Sequence, residues 1–220
     1  MTRTKPAADP RRHILDVATE VFAREGYAGA RVDDIARRAG INKAMLYYHV
    51  GDKDALYAAV FIETMAEARK RLEAAAASVE GPEERFRSVV RAMARMANEH
   101  PHFAPLMLRE IASGGASLPD PVVAQMRSVF QVLADVLGEG VKKKTFRNID
   151  PYMTHMFIGG SLMVLLSGAP IRRRVRGAEA VADRAPEDIA AYVADLLLGG
   201  LCRTAPPART KKTATKRVRS

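Results

Sequence analysis

One short stretch near the N-terminus gathers the side chains best suited to recognising another molecule. Lys43, Ala44, Met45, Tyr47, Tyr48 and His49 follow directly on the turn-forming residues Ala39-Gly40-Ile41-Asn42. Lys43 and His49 supply hydrogen-bonding nitrogens and each tyrosine a ring with a hydroxyl, whereas Ala44 and Met45 offer only apolar contact. The three consecutive rings Tyr47-Tyr48-His49 cannot all be buried by a helix of one or two turns. At least two must face outward, with Tyr47 the more buried tyrosine and its hydroxyl at the surface. Such a surface suits the edges of base pairs in a major groove: hydrogen bonds from Lys43, His49 or a tyrosine hydroxyl, and apolar contacts from Ala44 and Met45 to thymine methyl groups.

Two short helices must hold that surface in place. The first runs near Val32 to Ala39 with Ile35 and Ala36 inward, and Gly40 suits the left-handed position that ends a helix. Asn42 then caps the second, which stops at Gly51. Ahead of both, Asp9-Pro10 opens a helix whose apolar stripe, Ile14, Leu15, Ala18, Val21 and Phe22, continues to Gly26. A bihelix with a tight turn, backed by a third helix, has the form of a helix-turn-helix.

The chain strongly resembles the TetR/AcrR (tetracycline-repressor) family of bacterial transcriptional regulators. The resemblance is dense from Arg12 to Phe61. It rests on Ala18, Phe22, Gly26-Tyr27, Val32-Asp33-Asp34-Ile35-Ala36, Ala39-Gly40, Lys43, Leu46-Tyr47, His49, Lys53 and Leu56 in their spacing. Beyond Phe61 it is one of architecture alone, a helical regulatory domain. The resemblance implies that Lys43, Ala44, Met45, Tyr48 and His49 lie at groove-facing positions beside the capping Asn42, that Tyr47 touches phosphate, and that Lys53 presents charge to the DNA backbone. Lys53 and the free N–H groups at the next helix start would form an anion site. One departure is Arg31, where the family commonly has Thr or Ser. Arg31 cannot cap the helix, a loss of about 1 kcal/mol, although its guanidinium can reach phosphate. Asp33 is then the candidate for part of the capping.

Charge is distributed in keeping with a polyanionic partner. The formal net charge of +10 sits at the two ends: Arg3, Lys5, Arg11 and Arg12 oppose only Asp9, and the stretch from Arg203 onward, including Lys211, Lys212, Lys216, Arg217 and Arg219, carries no acid. The body between is neutral. Residues 1–8 read as a disordered basic arm able to reach a minor groove or phosphates, and 204–220 as a disordered basic tail that either adds sequence-independent affinity or is only solvated. Between them, 9–52 form the DNA-binding head and 53–203 a helical ligand-binding and dimerisation domain.

The fold class is all-α with about nine helices, because apolar residues recur every three or four positions and strand-like alternation is rare. After Asp52, a long helix runs from Lys53 to about Val79, roughly 40 Å at 1.5 Å per residue, and is able to connect two modules. Further helices fall near Pro82 to Glu99, Phe103 to Ala112, Asp120 to Val141, Pro151 to Ser167 and Pro186 to Cys202.

Ten methionines are the other oddity of composition. Met93, Met96, Met107, Met126 and Met156, with Phe103, Phe130 and Tyr152, mark a candidate pocket for a largely apolar small-molecule effector, since Met lines adaptable sites. Ordinary core filling is the competing use. A helix-turn-helix head reads few base pairs, so two copies are expected on a palindrome. The last two long helices offer Phe157, Gly160, Met163, Val164, Tyr192, Val193, Leu196 and Leu197 for a homodimer interface, part of each helix facing its own core. His100, His102 and His155 with Glu99 and Glu110 make a poor metal site, since the first two histidines flank Pro101 in a loop and no Cys joins them. Satisfied or exposed histidines are the expectation, with no cofactor.

No Gly-rich phosphate loop, Ser/His/Asp set or paired-carboxylate motif argues for an enzyme. The single Cys202, the absence of a secretory leader pattern and an apolar run too short for a bilayer point to the cytoplasm and away from membranes. The expected function is a homodimeric, ligand-responsive repressor. Its rivals are an architectural or constitutive DNA-binding protein and a small-molecule carrier or enzyme.

Overall fold

The computed structural model describes residues 9–177 and 183–202, so the expected basic arm and the expected tail lie outside the described residues. Ten helices are present among them: α1 (Pro10–Gly29), α2 (Val32–Arg38), α3 (Lys43–Val50), α4 (Lys53–Ala77), α5 (Pro82–Glu99), α6 (Phe103–Ala112), α7 (Asp120–Lys142), α8 (Pro151–Ser167), α9 (Ala169–Arg172) and α10 (Pro186–Leu201). The helix starts follow local chemistry. Asp9, Asn42, Asp52 and Asp150 each accept a hydrogen bond from a first-turn amide, and proline occupies a first-turn position of α1, α5, α7, α8 and α10.

Two differences from the sequence pattern have clear causes. Gly26 does interrupt α1, with φ 73° and ψ 172°, but the chain resumes a further turn to Gly29, closed by the Ala30 amide on the Gly26 carbonyl. Ala169-Pro170, between the helices expected to end at Ser167 and to begin at Pro186, opens the short helix α9, since proline near a helix start removes no intrahelical bond.

The helices pack around two apolar cores. One gathers Ile14, Ala18 and Phe22 of α1, Ile35 of α2, Leu46 of α3, Leu56 to Met65 of α4, and Leu106 and Met107 of α6. The other gathers Leu72 and Ala75 of α4 with Phe86, Val89 and Val90 of α5, Leu133 and Leu137 of α7, Ile158 and Leu162 of α8, and Val193 and Leu198 of α10. At about 1.5 Å per residue, the 25-residue α4 is long enough to belong to both. The second core is locked by Phe146, which lies so close over Gly140 that a Cβ there would fall 2.0 Å from the ring. No described helix is long and apolar enough to cross a membrane.

Candidate functional site

The head is held from beneath, which frees its outer face. Leu46 and Val50 bury the underside of α3, the Asn42 side chain accepts the Met45 amide at 2.8 Å, and Gly40 takes φ 69° in the turn. Lys43, Ala44, Met45, Tyr47 and Tyr48 are consequently exposed together. Tyr48 stands 82% exposed and Tyr47 43%, the order expected, although neither is core. His49 is half-buried, packs edge-on to Tyr48 at 5.3 Å and gives its carbonyl to Arg11 Nε at 3.2 Å.

Around this face Asp33 and Lys53 differ from expectation, while Arg31 follows it. Asp33 does not cap α2, whose start has no side-chain hydrogen bond; its carboxylate instead pairs with Lys43 Nζ at 2.9 Å and raises the lysine pKa. The gain to Asp33 is a charge partner that an amide cannot match. Arg31, at the cap position and exposed, makes no capping bond, so its guanidinium is available for other contacts. Lys53 lies over the Tyr27 ring at 4.7 Å with Nζ 3.5 Å from the Ala28 carbonyl. The anion site expected beside it is reduced, because Asp52 already accepts the Ala55 amide at 2.8 Å.

A second feature lies inside the helical body. Helices α4 to α8 line a cavity of about 430 Å³ that opens to solvent beside Ile111 and Tyr152, within the size range of small-molecule pockets. Its wall contains all eight residues marked in the sequence, Met93, Met96, Phe103, Met107, Met126, Phe130, Tyr152 and Met156. It also contains residues that pattern alone misses: Thr64, Met65 and Leu72 of α4, His100, and His155. The signal for the histidines was spacing, since His155 shares a face with Tyr152 and Met156, and His100 follows Met93 and Met96 by seven and four positions. His155 is neither satisfied nor exposed. It is buried, its Nδ1 has no hydrogen-bond partner, and burial pushes its pKa down to about 4. His100 Nε2 lies 3.5 Å from Glu67, while His102 is exposed. Among the described residues no His, Cys, Asp and Glu group could hold a metal.

The cavity and the head share two helices. Phe103 and Met107 of α6 line the cavity, and the Phe103 ring meets Phe61 of α4 at 5.7 Å. One turn further, Glu110 accepts the Tyr57 hydroxyl in a buried hydrogen bond, and burial together with that carboxylate pushes the phenol pKa up. Arg109 donates to the Arg24 carbonyl at 2.9 Å and lies against Gly26, binding α6 to the bend of α1. At the other end of α1, Arg12 pairs with Glu67 at 2.9 Å, the carboxylate that also faces His100.

The residues marked for dimerisation divide. Phe157, Val164, Tyr192 and Leu196 are exposed, 62% and 67% for the first and last, and Gly160 and Leu197 are half-buried. Val193 is buried in the monomer core and Met163 contributes to the cavity wall, because each sits on the inward side of its helix.

A helix-turn-helix presented on a helical body with an internal cavity defines a DNA-binding regulator. Comparison with known proteins makes the assignment specific. Residues 14–60 match the model described as bacterial regulatory proteins, tetR family, and residues 82–197 match the tetracyclin repressor-like C-terminal domain, so the chain belongs to the TetR family of transcriptional regulators. It is 29% identical over 163 residues to the HTH-type transcriptional repressor NicS of Pseudomonas putida, covering 71% of this chain and 74% of that protein. It is 25% identical over 182 residues to the HTH-type transcriptional regulator RutR of Escherichia coli K12, covering 80% and 82%. Among solved structures, the regulator FadR of Bacillus subtilis in complex with stearoyl-CoA superposes with a TM-score of 0.70 at 19% identity, covering 86% of this chain and 98% of that one. These relatives are regulators of transcription, not enzymes.

Proposed function

We propose that the protein acts as a homodimeric repressor that reads a palindromic operator and is released from it by a small-molecule effector. In this reading Lys43, Ala44, Met45, Tyr48 and His49 enter the major groove, Asn42 fixes their helix, and Arg31, Tyr47 and Lys53 contact phosphate. The exposed Phe157, Val164, Tyr192 and Leu196 pair with their copies across a two-fold axis. The effector occupies the α4–α8 cavity.

The observation that carries the proposal is the sharing of α4 and α6 between cavity and head, through Phe103–Phe61, Tyr57–Glu110 and Arg109–Arg24. An effector that alters the seating of α6 thereby alters how α1 and α4 support the recognition helix. Its leverage equals its differential affinity for the two arrangements. Selection of bound duplexes from a random pool at about 0.15 M salt tests the first half. An inverted repeat is the expected result; no enriched motif makes the protein an architectural DNA binder. The second half fails if no cavity ligand at saturation changes operator affinity.

A further inference from the structure

Within the cavity wall, the imidazole of His155 stands among aromatic and apolar side chains. His155 is only 6% exposed and its Nδ1 has no hydrogen-bond partner in the protein. Its ring is fixed edge-on to Phe130, with centroids 4.3 Å apart, and Phe130 in turn meets Tyr152 at 5.3 Å. Of the other polar groups in the wall, Thr64 donates its hydroxyl to the Val60 carbonyl at 2.8 Å, His100 Nε2 lies 3.5 Å from the Glu67 carboxylate without a hydrogen bond, and Tyr152 is exposed at the edge.

No described Asp, Glu, Lys or Arg lines the cavity. An ionised group brought inside would lose its hydration with no countercharge to replace it. A proton on His155 would provide one, yet burial holds that imidazole neutral, its pKa pushed down to about 4. A neutral imidazole both donates and accepts, so it suits a hydroxyl or a carbonyl equally. Buried polar atoms without a partner are rare in native structures, and this wall holds two of them, Nδ1 of His155 and Nε2 of His100.

We propose that the cavity takes an uncharged, largely apolar molecule with a single hydroxyl or carbonyl group, and that His155 makes the hydrogen bond that selects it. The proposal rests on reading the cavity as the effector site.

The test uses four probes matched in size, namely naphthalene, 1-naphthol, 1-acetonaphthone and 1-naphthoate, titrated into the full-length protein at neutral pH. Naphthol and acetonaphthone are expected to bind about tenfold more tightly than naphthalene, the gain of one well-made hydrogen bond, and naphthoate about tenfold more weakly than naphthol. In His155→Leu naphthalene keeps its affinity while the advantage of naphthol disappears, and His155→Gln retains part of it.

Tightest binding by naphthoate, or an advantage for naphthol that survives His155→Leu, overturns the proposal and leaves the cavity reading standing. If none of the four binds, or if Met107→Trp, which fills the cavity, leaves binding unchanged, the cavity reading itself fails and the proposal with it. Should His155→Leu not fold, the order of the four probes on the unmodified protein and on His155→Gln decides.

Discussion

Replacing Tyr57 by Phe removes one oxygen from the junction between head and body, and the consequences can be worked through atom by atom. The ring itself need not move: it sits edge-on to Phe22 at 4.7 Å, Tyr27 at 4.9 Å and Phe61 at 5.2 Å, contacts that Phe preserves. What is lost is the hydroxyl donated to Glu110, a residue only 2% exposed whose Oε2 already has no partner. Stranding a buried acceptor of this kind costs about 2 kcal/mol, and for a protein of this size that lowers Tm by about 4–8 °C. Glu110→Leu alone strands the Tyr57 hydroxyl instead and is expected to lose about 1–2 kcal/mol. The double variant removes both polar groups and should return to within about 1 kcal/mol of the parent, because paired apolar replacements leave nothing unsatisfied. Urea unfolding of the four proteins gives the coupling directly. A coupling below about 0.3 kcal/mol, or a Tyr57→Phe variant as stable as the parent, refutes the account of this contact as a buried bond joining α4 to α6.

Acid should weaken the body through His155. Its native pKa of about 4 lies below the unfolded value near 6.5, so the unfolded chain binds the proton first and stability falls as pH drops from about 6.5 towards 4. By pH 5 the loss is about 2 kcal/mol, and His155→Gln should flatten that slope in urea midpoints measured across the range. Gly140→Ala is expected to destabilise by about 1–3 kcal/mol through its collision with Phe146, seen as a lower Tm, with partial recovery in Gly140→Ala/Phe146→Leu. On operator DNA, Lys53→Met should weaken binding to all sequences alike and reduce the salt slope by about one, whereas Tyr48→Ala should change the preferred bases. Fluorescence anisotropy on matched and mismatched duplexes separates the two.

Much of this was legible because it depends on local chemistry. The starts of α5 and α8 follow from Pro82 and Pro151, and the break between α5 and α6 from the Pro101 loop. The cavity wall was legible for the same reason: Met and aromatic residues at three- and four-residue spacing on several helices have to converge somewhere. Choices between partners distant in sequence were not. Asp33 had two uses, a nearby helix start and the ammonium of Lys43, and only the folded turn brings the second within 2.9 Å. His155 on an apolar face reads as a satisfied core residue until the surroundings show that no neighbour supplies a partner. Likewise Val193 and Leu196 are both apolar and three apart, and which of them faces the monomer core depends on how α10 is rotated against α5.

The division into a head and a helical body is weaker in the core than along the chain. Leu106 and Met107 of α6 are buried with Phe22, Tyr57 and Phe61 of α1 and α4, so the body supplies part of the head's own hydrophobic contacts. Met107 is at once a wall of the cavity and a member of that core. A ligand pressing on Met107 therefore acts on a packed surface, where displacement by even a methyl-sized volume is felt, and not on a flexible linker. The scale needed is modest. A ligand that binds the non-operator arrangement about a hundredfold more tightly contributes about 2.7 kcal/mol to the shift, comparable to the buried bond between Tyr57 and Glu110 that holds the two parts in register. Contacts of that size, placed between cavity and head, are strong enough to transmit occupancy and weak enough for one small molecule to overcome.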